Sequence, residues 1–504
     1  MKEIKALRVG EGIFTSEYAL PDCLDLIVFE DIDSEDEGAK RAIYDMAFIC
    51  RTLSADESRY LLKHTRAYTV FFVGDFEVNE ASAWFFKARK AHELKADQLQ
   101  HFLDHEARNF YPNPYGEKFR PGWIGVSPSY GGKVVRNAGH DMAFKADFGR
   151  EYSQVMYWKY NIPISTGSAI DFWLEYEKDP GVEIRLRMDL YISGSICDEY
   201  RKYEFEGADL DRVITIDHEG PNCFMFVSVY ARGMGELKIT ALHDRYSRRG
   251  WGQFLPGGER YVTSGREEIF AYFDPQDMKP PLNVYFSGYK TMESFEGYYM
   301  MRAKGCPFLL ITDNRLEGGA FYMGSEEYER LFVDVIHKYM DELGFDESQV
   351  ILSGLSMGTY GALYYGCDIR PHAIILGKPL ASIGDVADNE RIKRPGGFPT
   401  SLDVMHYSVG GTTQDHVEAL NDRFWDKFDR TDWGDTKFIV SYMIEDDYDG
   451  TAYDTLISHI HDAGARIYGK GLHGRHNDDT TGIVGWFGTQ YDRTIEDDFD
   501  RSRR

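Results

Sequence analysis

The sequence predicts an α/β fold in three parts: a small N-terminal α/β domain, a β-sandwich, and a doubly wound C-terminal α/β domain. Three observations lead to this prediction. The chain has 504 residues, more than one hydrophobic core normally serves at about 150 residues per domain. The spacing of apolar residues changes twice along the chain. Hydrophobic residues make up 43% and prolines number only 17, as is typical of packed globular proteins.

Residues 1–118 are expected to form the small α/β domain. Short apolar runs at 24–29 and 67–73 are bounded by acidic residues or glycine and are typical of buried strands, whereas residues 80–106 have helical spacing. The segment 109–116 contains two prolines and a glycine, so we place the boundary there. This domain carries no chemical motif, which is consistent with a role in docking partner proteins.

Residues 119–266 are expected to form the β-sandwich, since helical periodicity is almost absent there. Six runs rich in β-branched and aromatic residues are separated by Gly, Asp and Asn. These runs are 155–164, 170–177, 182–192, 212–216, 223–230 and 236–242. Aromatic residues of the first two runs are candidates for a sugar-binding face, although alternating core aromatics explain them more simply. They are Tyr157, Trp158, Tyr160, Phe172, Trp173 and Tyr176.

Residues 267–504 are expected to form the doubly wound domain, because apolar runs and helical stretches alternate there. The apolar runs are 282–286, 307–311, 350–352, 372–376 and 437–442. Continuous apolar runs are typical of parallel strands that are buried on both faces of a sheet. Helical stretches such as 325–343 and 359–365 lie between several of them, as a doubly wound fold requires.

The motif with the clearest chemistry is Gly354-Leu-Ser356-Met-Gly358, which follows an apolar strand and precedes a helix. Glycines two residues on either side of the serine let the backbone pass close to both elements, and the turn raises the Ser356 hydroxyl above the sheet. The Met357 amide then lies at a helix N-terminus, where it can donate to a tetrahedral oxyanion. We predict a nucleophile elbow and therefore an α/β-hydrolase-like catalytic domain. The alternative is a glycine-rich turn with a serine helix cap.

A nucleophile elbow requires an acid and then a histidine, each after a later strand. The loop after the run at 437–442 carries Glu445 and Asp446, and either one is the expected acid. His473 and His476 precede the last helical stretch, and we prefer His476 because it lies at the entrance to that helix. In this arrangement the histidine removes the serine proton, and the acid holds the imidazole tautomer.

The second oxyanion donor in such sites comes from the loop after an earlier strand. Here Ser287, Gly288 and Tyr289 follow the run at 282–286. We expect the amide of Tyr289 or Gly288 to donate, and an ordinary glycine turn is an equally good interpretation.

Charge and composition limit the partners. Lys and Arg number 57 against 83 Asp and Glu, a net charge of −26, so a general attraction to nucleic acid or anionic membrane is not expected. No signal peptide or spanning segment is recognisable, so we expect a cytoplasmic location, with membrane association only through protein partners.

Six scattered cysteines indicate neither a disulfide framework nor a zinc site. No nucleotide motif occurs, so no bound cofactor is expected.

Several segments resemble the second accessory secretory protein of the accessory Sec system, which exports serine-rich repeat adhesins from Gram-positive bacteria. They are 242–252, 256–258, 353–366, 442–449 and 474–478. The resemblance implies that the catalytic domain O-acetylates N-acetylglucosamine on the adhesin, with Ser356 as nucleophile, His476 as base and Glu445 or Asp446 as acid. It also implies four partners: the first and third accessory secretory proteins, a specialised SecA-type motor and the glycosylated adhesin. The acetyl donor stays open.

Two other classes of function compete with this one. The residues alone favour a plain serine esterase or peptidase of the α/β-hydrolase class. A degenerate hydrolase that serves only as a scaffold of the export complex is the third hypothesis, and the intact set of serine, acid and histidine argues against it.

Overall fold

Three large sheets and one two-stranded sheet organise the described part of the chain in a computed structural model. The structure describes residues 3–10, 18–29, 42–112, 115–195, 197–462 and 465–501. Helices accompany the first and last large sheets, so the prediction of a mixed α/β chain is confirmed. The division into domains at 118 and 266 stays a prediction.

The first sheet is parallel. Its strands are β1 (Ile4–Val9), β2 (Leu24–Phe29), β3 (Met46–Ile49), β4 (Val70–Val73) and β5 (His92–Leu94). They lie in the order β2–β1–β3–β4–β5. The helices of this region are α1 (Ala55–His64), α2 (Glu80–Ala88) and α3 (Leu99–His105). The strand at 24–29 is confirmed, but the helix expected over 80–106 is interrupted because β5 joins the sheet edge between α2 and α3.

The second sheet is antiparallel and is built around two long strands, β9 and β15. Its strands are β6 (Gly116–Phe119), β7 (Ile124–Val126), β8 (Lys133–Asn137), β9 (Asp141–Trp158), β10 (Ile162–Ile164), β11 (Ser168–Lys178), β12 (Val182–Ile192), β13 (Glu199–Glu206), β14 (Ile214–His218) and β15 (Cys223–Tyr246). The separate strands expected at 223–230 and 236–242 are one strand, because its register against β9 shifts around Gly233, which has a positive φ, without ending the strand. The hydrogen bonds describe one sheet of ten strands, so the sandwich stays a prediction.

The aromatic residues considered for a sugar-binding face in this region are divided between core and surface. Trp158, Phe172 and Trp173 are buried, whereas Tyr160 is 41% exposed. Core packing therefore explains the three buried rings, as the simpler interpretation expects.

The third large sheet holds the elbow motif. A short hairpin, β16 (Gly252–Gln253) and β17 (Leu255–Pro256), precedes it. Its strands are β18 (Glu259–Val262), β19 (Glu268–Asp274), β20 (Leu282–Phe286), β21 (Phe308–Asp313), β22 (Val350–Leu355), β23 (Ala373–Gly377), β24 (Lys437–Met443) and β25 (Arg466–Leu472). The order is β18–β19–β21–β20–β22–β23–β24–β25, with β20 to β25 mutually parallel. The loops after the parallel strands therefore meet at one edge of the sheet.

Eight helices accompany these strands in the described part of the chain. They are α4 (Tyr298–Lys304), α5 (Glu326–Leu343), α6 (Met357–Ile369), α7 (Ile383–Ile392), α8 (Thr400–Val409), α9 (Gln414–Asp429), α10 (Ala452–Asp462) and α11 (Thr480–Phe499). Three of them, α7 to α9, lie between β23 and β24. The region between these strands is thus long enough to reach over the sheet edge that carries the elbow.

A cluster of buried charges joins the second and third large sheets. His243 and Arg245 on β15 contact Glu293, which lies in the loop after β20. Arg245 also binds Glu268 on β19, with nitrogen–oxygen distances of 2.9 and 2.6 Å. These four side chains are at most 3% exposed. The loop after β20, which carries the expected oxyanion donors, is thereby anchored to β15.

The charges of this cluster shift the pKa values of its members. Burial alone would lower the pKa of His243, but Glu293 and Glu175 outweigh it and raise the pKa to about 9. Burial would raise the pKa of Glu293, but Arg245 and His243 lower it to about 2. The protonated imidazole is therefore the form that stabilises the fold.

We predict that this cluster loses stability at alkaline pH. The His243 contribution is complete below a pH of about 6.5 and is lost as the pH rises through about 9, a difference of about 3 kcal/mol. The thermal midpoint should therefore fall more between pH 7 and pH 10 in the wild type than in His243→Gln. His218→Gln is the matched control, because His218 is also buried in this sheet but faces the Pro221 carbonyl. Equal falls in the wild type and His243→Gln would contradict the prediction.

Candidate active site

The turn at Ser356 has the strained geometry that a nucleophile elbow needs. Strand β22 ends at Leu355 and helix α6 begins at Met357, and Ser356 between them has φ 51° and ψ −121°. A Cβ at Gly354 would lie 2.3 Å from the Gly358 carbonyl, and one at Gly358 would lie 2.1 Å from the Phe286 carbonyl oxygen. Both positions therefore require glycine, and the turn raises the serine above the sheet.

The structure brings Ser356, His476 and Asp446 into one hydrogen-bonded chain. The Ser356 hydroxyl lies 2.8 Å from His476 Nε2, and His476 Nδ1 lies 2.8 Å from Asp446 Oδ2. The imidazole side chain is 1% exposed and the carboxylate side chain 6% exposed. Burial fixes the ring between its two partners, so Nε2 is available to accept the serine proton when Nδ1 donates to the carboxylate.

The neighbouring pair, Glu445 and His473, lies apart from this chain. Glu445 accepts a hydrogen bond from the Gly474 amide at 2.6 Å and contacts His473 Nδ1 at 3.0 Å. The side chains of Glu445 and His473 are 52% and 86% exposed. The Gly474 amide is also the main reason why the pKa of Glu445 is lowered. The geometry therefore favours Asp446 over Glu445 and His476 over His473.

The loop after β24 fixes Asp446 through groups that the sequence did not single out. Asp446 Oδ1 accepts hydrogen bonds from the amides of Tyr448 and Asp449, at 2.8 and 3.3 Å. Asp447 accepts from the His476 amide at 3.1 Å. Asp449 is buried and accepts from the amides of residues 381 and 382. Burial raises the pKa of Asp449 to about 6. The sequence feature that could have identified these groups is the run of acidic residues that follows the strand.

Lys378 is a buried charged residue whose charge interacts with Asp446, and sequence reasoning did not identify it. It follows β23 with φ 58°, and its ammonium group lies 3.2 Å from the Thr480 hydroxyl at the start of α11. Burial lowers its pKa, while the charges of Asp446 and Asp479 oppose that change. The residue is 6% exposed, so its positive charge acts in a desolvated region beside the proposed acid.

The expected oxyanion donors lie around the elbow. Met357 is buried at the first position of α6. The Gly288 amide donates to the Glu296 carboxylate, so this amide is already engaged. Tyr289 is next in the chain, and the residue is exposed, at 39%. The amides of Met357 and Tyr289 are therefore the better pair of candidate donors, and their role stays a prediction.

One group of possible metal ligands exists among the described residues. Glu175, His243 and Glu268 place their ligand atoms within 4.8 Å of one another. Arg245 binds both oxygens of Glu268, and the raised pKa of His243 keeps its ring protonated. The group therefore fits an ion-pair network, because a bound cation would have to displace two positive charges.

We predict that Asp446 and Glu445 differ sharply in their effect on Ser356 reactivity. A fluorophosphonate labels only an activated serine, so the labelling rate measures the hydrogen-bonded chain directly. Asp446→Asn should slow labelling by about 100-fold or more, because the amide cannot hold the imidazole in the required tautomer. Glu445→Gln should label at nearly the wild-type rate. If Glu445→Gln slowed labelling and Asp446→Asn did not, the acid would be Glu445.

Known proteins match nearly the whole chain. The family whose model matches is described as the accessory Sec system GspB-transporter, over residues 17–501. A relative from Streptococcus gordonii, the second accessory secretory protein of its accessory Sec system, is 38% identical over 510 residues, covering 99% of each chain. The counterpart from Staphylococcus aureus is 40% identical over 410 residues, covering 80% of this chain and 78% of the relative.

A chain of known structure is also similar to this protein over its full length. A chain of the Glycosylation Associate Protein (Gap123) complex from Streptococcus agalactiae is 34% identical, with a TM-score of 0.87 and 100% of both chains covered. The family resemblance noted from the sequence is thus confirmed. The chain belongs to the family of the second accessory secretory protein of the accessory Sec system.

Proposed function

We propose that this protein is an acyltransferase that O-acetylates N-acetylglucosamine on a serine-rich repeat glycoprotein adhesin and takes part in export of that adhesin. The observation that carries the proposal is the pair of hydrogen bonds that link Ser356 to His476 and His476 to Asp446. Each of the two has a length of 2.8 Å. This arrangement is suited to acyl transfer through a serine ester. Membership in the accessory Sec family supports the role in export.

In the first half-reaction, Ser356 Oγ attacks the acetyl carbonyl of the donor while His476 Nε2 takes the hydroxyl proton. The negative charge that forms on the carbonyl oxygen is stabilised by the candidate amides of Met357 and Tyr289. The carbon–leaving-group bond then breaks, and His476 returns the proton to the leaving group. Ser356 is left as its acetyl ester.

In the second half-reaction, a sugar hydroxyl attacks this ester while His476 Nε2 takes the hydroxyl proton. The ester bond to Ser356 breaks, the proton passes to Ser356 Oγ, and the acetylated sugar leaves. During both steps Asp446 stabilises the imidazolium by accepting from Nδ1, which lies 2.8 Å from Oδ2.

Hydrolysis is the competing outcome, and one observation favours it. Ser356 is half-buried, so solvent reaches the nucleophile when no acceptor is bound. A sugar that fills the site excludes this water, and transfer then outpaces hydrolysis. A plain esterase would have the same hydrogen-bonded chain, so the acceptor is the property that separates the two functions.

The family resemblance suggests the partners, and the Gap123 complex, which contains a related chain, supports assembly with other accessory proteins. We propose that the chain assembles with the first and third accessory secretory proteins and works with a SecA-type motor and the glycosylated adhesin. Among the described residues, none of the helices has the length and apolar character needed to span a membrane. With a net charge of −26, attraction to anionic lipid is unfavourable, so we propose a cytoplasmic protein that reaches the membrane through its partners.

We predict that Ser356→Ala removes the O-acetyl groups from the exported adhesin, because no acyl-serine can form. Mass spectrometry of adhesin glycans from cells carrying this variant measures the loss. His473→Ala is the matched control, since His473 is 86% exposed and contacts Glu445, and acetylation should persist there. Unchanged O-acetylation in a stably folded Ser356→Ala protein would refute the transferase. Continued export without acetylation would separate the two roles.

A further inference from the structure

The ring of Tyr448 lies flat against the imidazole of His476. The two ring centroids are 4.3 Å apart, and the planes differ by 26°. Tyr448 is therefore in direct contact with the histidine that bridges Ser356 and Asp446. Its amide also donates to Asp446 at 2.8 Å. One residue thus touches two members of the hydrogen-bonded chain.

Tyr448 is itself held on several sides. Its hydroxyl donates to the Gly397 carbonyl at 3.1 Å and accepts from the Asn477 amide group at 3.2 Å. The Phe398 ring is nearly parallel to it, with centroids 5.4 Å apart. The guanidinium carbon of Arg394 lies 4.4 Å from the centre of the Tyr448 ring. The tyrosine ring is therefore fixed by the connection between α7 and α8.

Arg394 is also linked to His476 through a second residue, Asp447. It forms an ion pair with Asp447 at 3.0 Å, and the other oxygen of Asp447 accepts from the His476 amide at 3.1 Å. Arg394 thus supports the side chain of His476 through Tyr448 and its backbone through Asp447. The residues 394–398 form what we call the histidine clamp.

We propose that Tyr448 is a positioning residue for His476 and that the histidine clamp, residues 394–398, holds it in place. The inference rests on the proposed function, since it concerns how the same histidine acts. The imidazole must face Ser356 with Nε2 and Asp446 with Nδ1 at once, so a small rotation of the ring breaks one of the two hydrogen bonds. A ring packed against its face prevents that rotation and keeps water from competing for the nitrogens.

The contact also suits the charge that His476 carries during the reaction. The imidazole becomes positive each time it holds the serine or sugar proton. The face of an aromatic ring is the negative part of its quadrupole, so the Tyr448 ring favours this charged state. The ring of Tyr448 both restricts rotation of the imidazole and stabilises its positive charge. The Tyr448 hydroxyl only anchors the ring to the histidine clamp.

The test compares Tyr448→Leu, which removes the ring, with Tyr448→Phe, which keeps it. Hydrolysis of p-nitrophenyl acetate gives kcat and KM for each full-length variant. We expect Tyr448→Leu to lower kcat by about 10-fold to 100-fold with little change in KM, because a misplaced base slows chemistry more than binding. Tyr448→Phe should recover most of kcat. Arg394→Gln should lower kcat less than Tyr448→Leu.

A matched control separates positioning from general stability. Tyr442 stacks on Tyr453 with centroids 4.0 Å apart, so Tyr442→Leu removes an equally well-stacked ring from the same strand and loop region. Its kcat should stay near that of the wild type. The positioning role fails if Tyr448→Leu keeps the wild-type kcat, or if Tyr442→Leu loses as much.

A spectroscopic measurement tests the clamp without any turnover. With histidines labelled with ¹⁵N, the proton that His476 Nδ1 shares with Asp446 gives a downfield NMR signal, which should persist in Tyr448→Phe and disappear in Tyr448→Leu. A signal unchanged in Tyr448→Leu overturns the inference. If the wild type shows this signal but neither turns over ester nor reacts with a fluorophosphonate at Ser356, the proposed function fails while the inference about His476 geometry stands.

Discussion

The backbone of Ser356 is the constraint on which the candidate site depends. A serine with φ 51° and ψ −121° is in a region that residues with a Cβ rarely occupy, at a cost on the order of 1–3 kcal/mol. The strain is sustained because β22 and α6, on either side, are almost entirely buried. Glycines at 354 and 358 allow the close contacts that this requires. The turn raises the Ser356 hydroxyl above the sheet, within 2.8 Å of His476 Nε2, and the other parts of the site are arranged around it.

The topology of the third large sheet supplies those other parts. The loops after β20, β22, β24 and β25 lie at the same edge because these strands are parallel. They bring together, from four distant segments, the candidate oxyanion amides and the proposed nucleophile, acid and histidine. The connection between α7 and α8 adds the contacts to Tyr448. The buried ion pairs of Glu293 connect the loop after β20 to β15, so the second sheet supports the geometry of the third.

Much of this arrangement was predictable from residues with strong local signals. The five apolar runs of the last region correspond to β20 to β24, because strands buried on both faces must be apolar throughout. The elbow and the preference for His476 followed from spacing and chain order. The choice between Glu445 and Asp446 did not, because adjacent residues of one loop differ only in which way the backbone turns them. Tyr448 and Arg394 carried no sequence signal, since stacking depends on contacts between loops. The continuous β15 was missed because the glycine-containing stretch around Gly233 resembles a turn in sequence, whereas in the structure it is a register shift within one strand.

In the proposed reaction, Ser356 carries an acetyl group between a donor and a sugar. Peptide mass spectrometry of the full-length protein, quenched in acid soon after mixing with p-nitrophenyl acetate, tests this role most directly. We predict an acetyl group on the peptide that contains Ser356, which disappears faster when an N-acetylglucosamine acceptor is added and is recovered on the sugar. The absence of acetyl-Ser356, or its release to water at the same rate with and without the sugar, would contradict the proposed transfer.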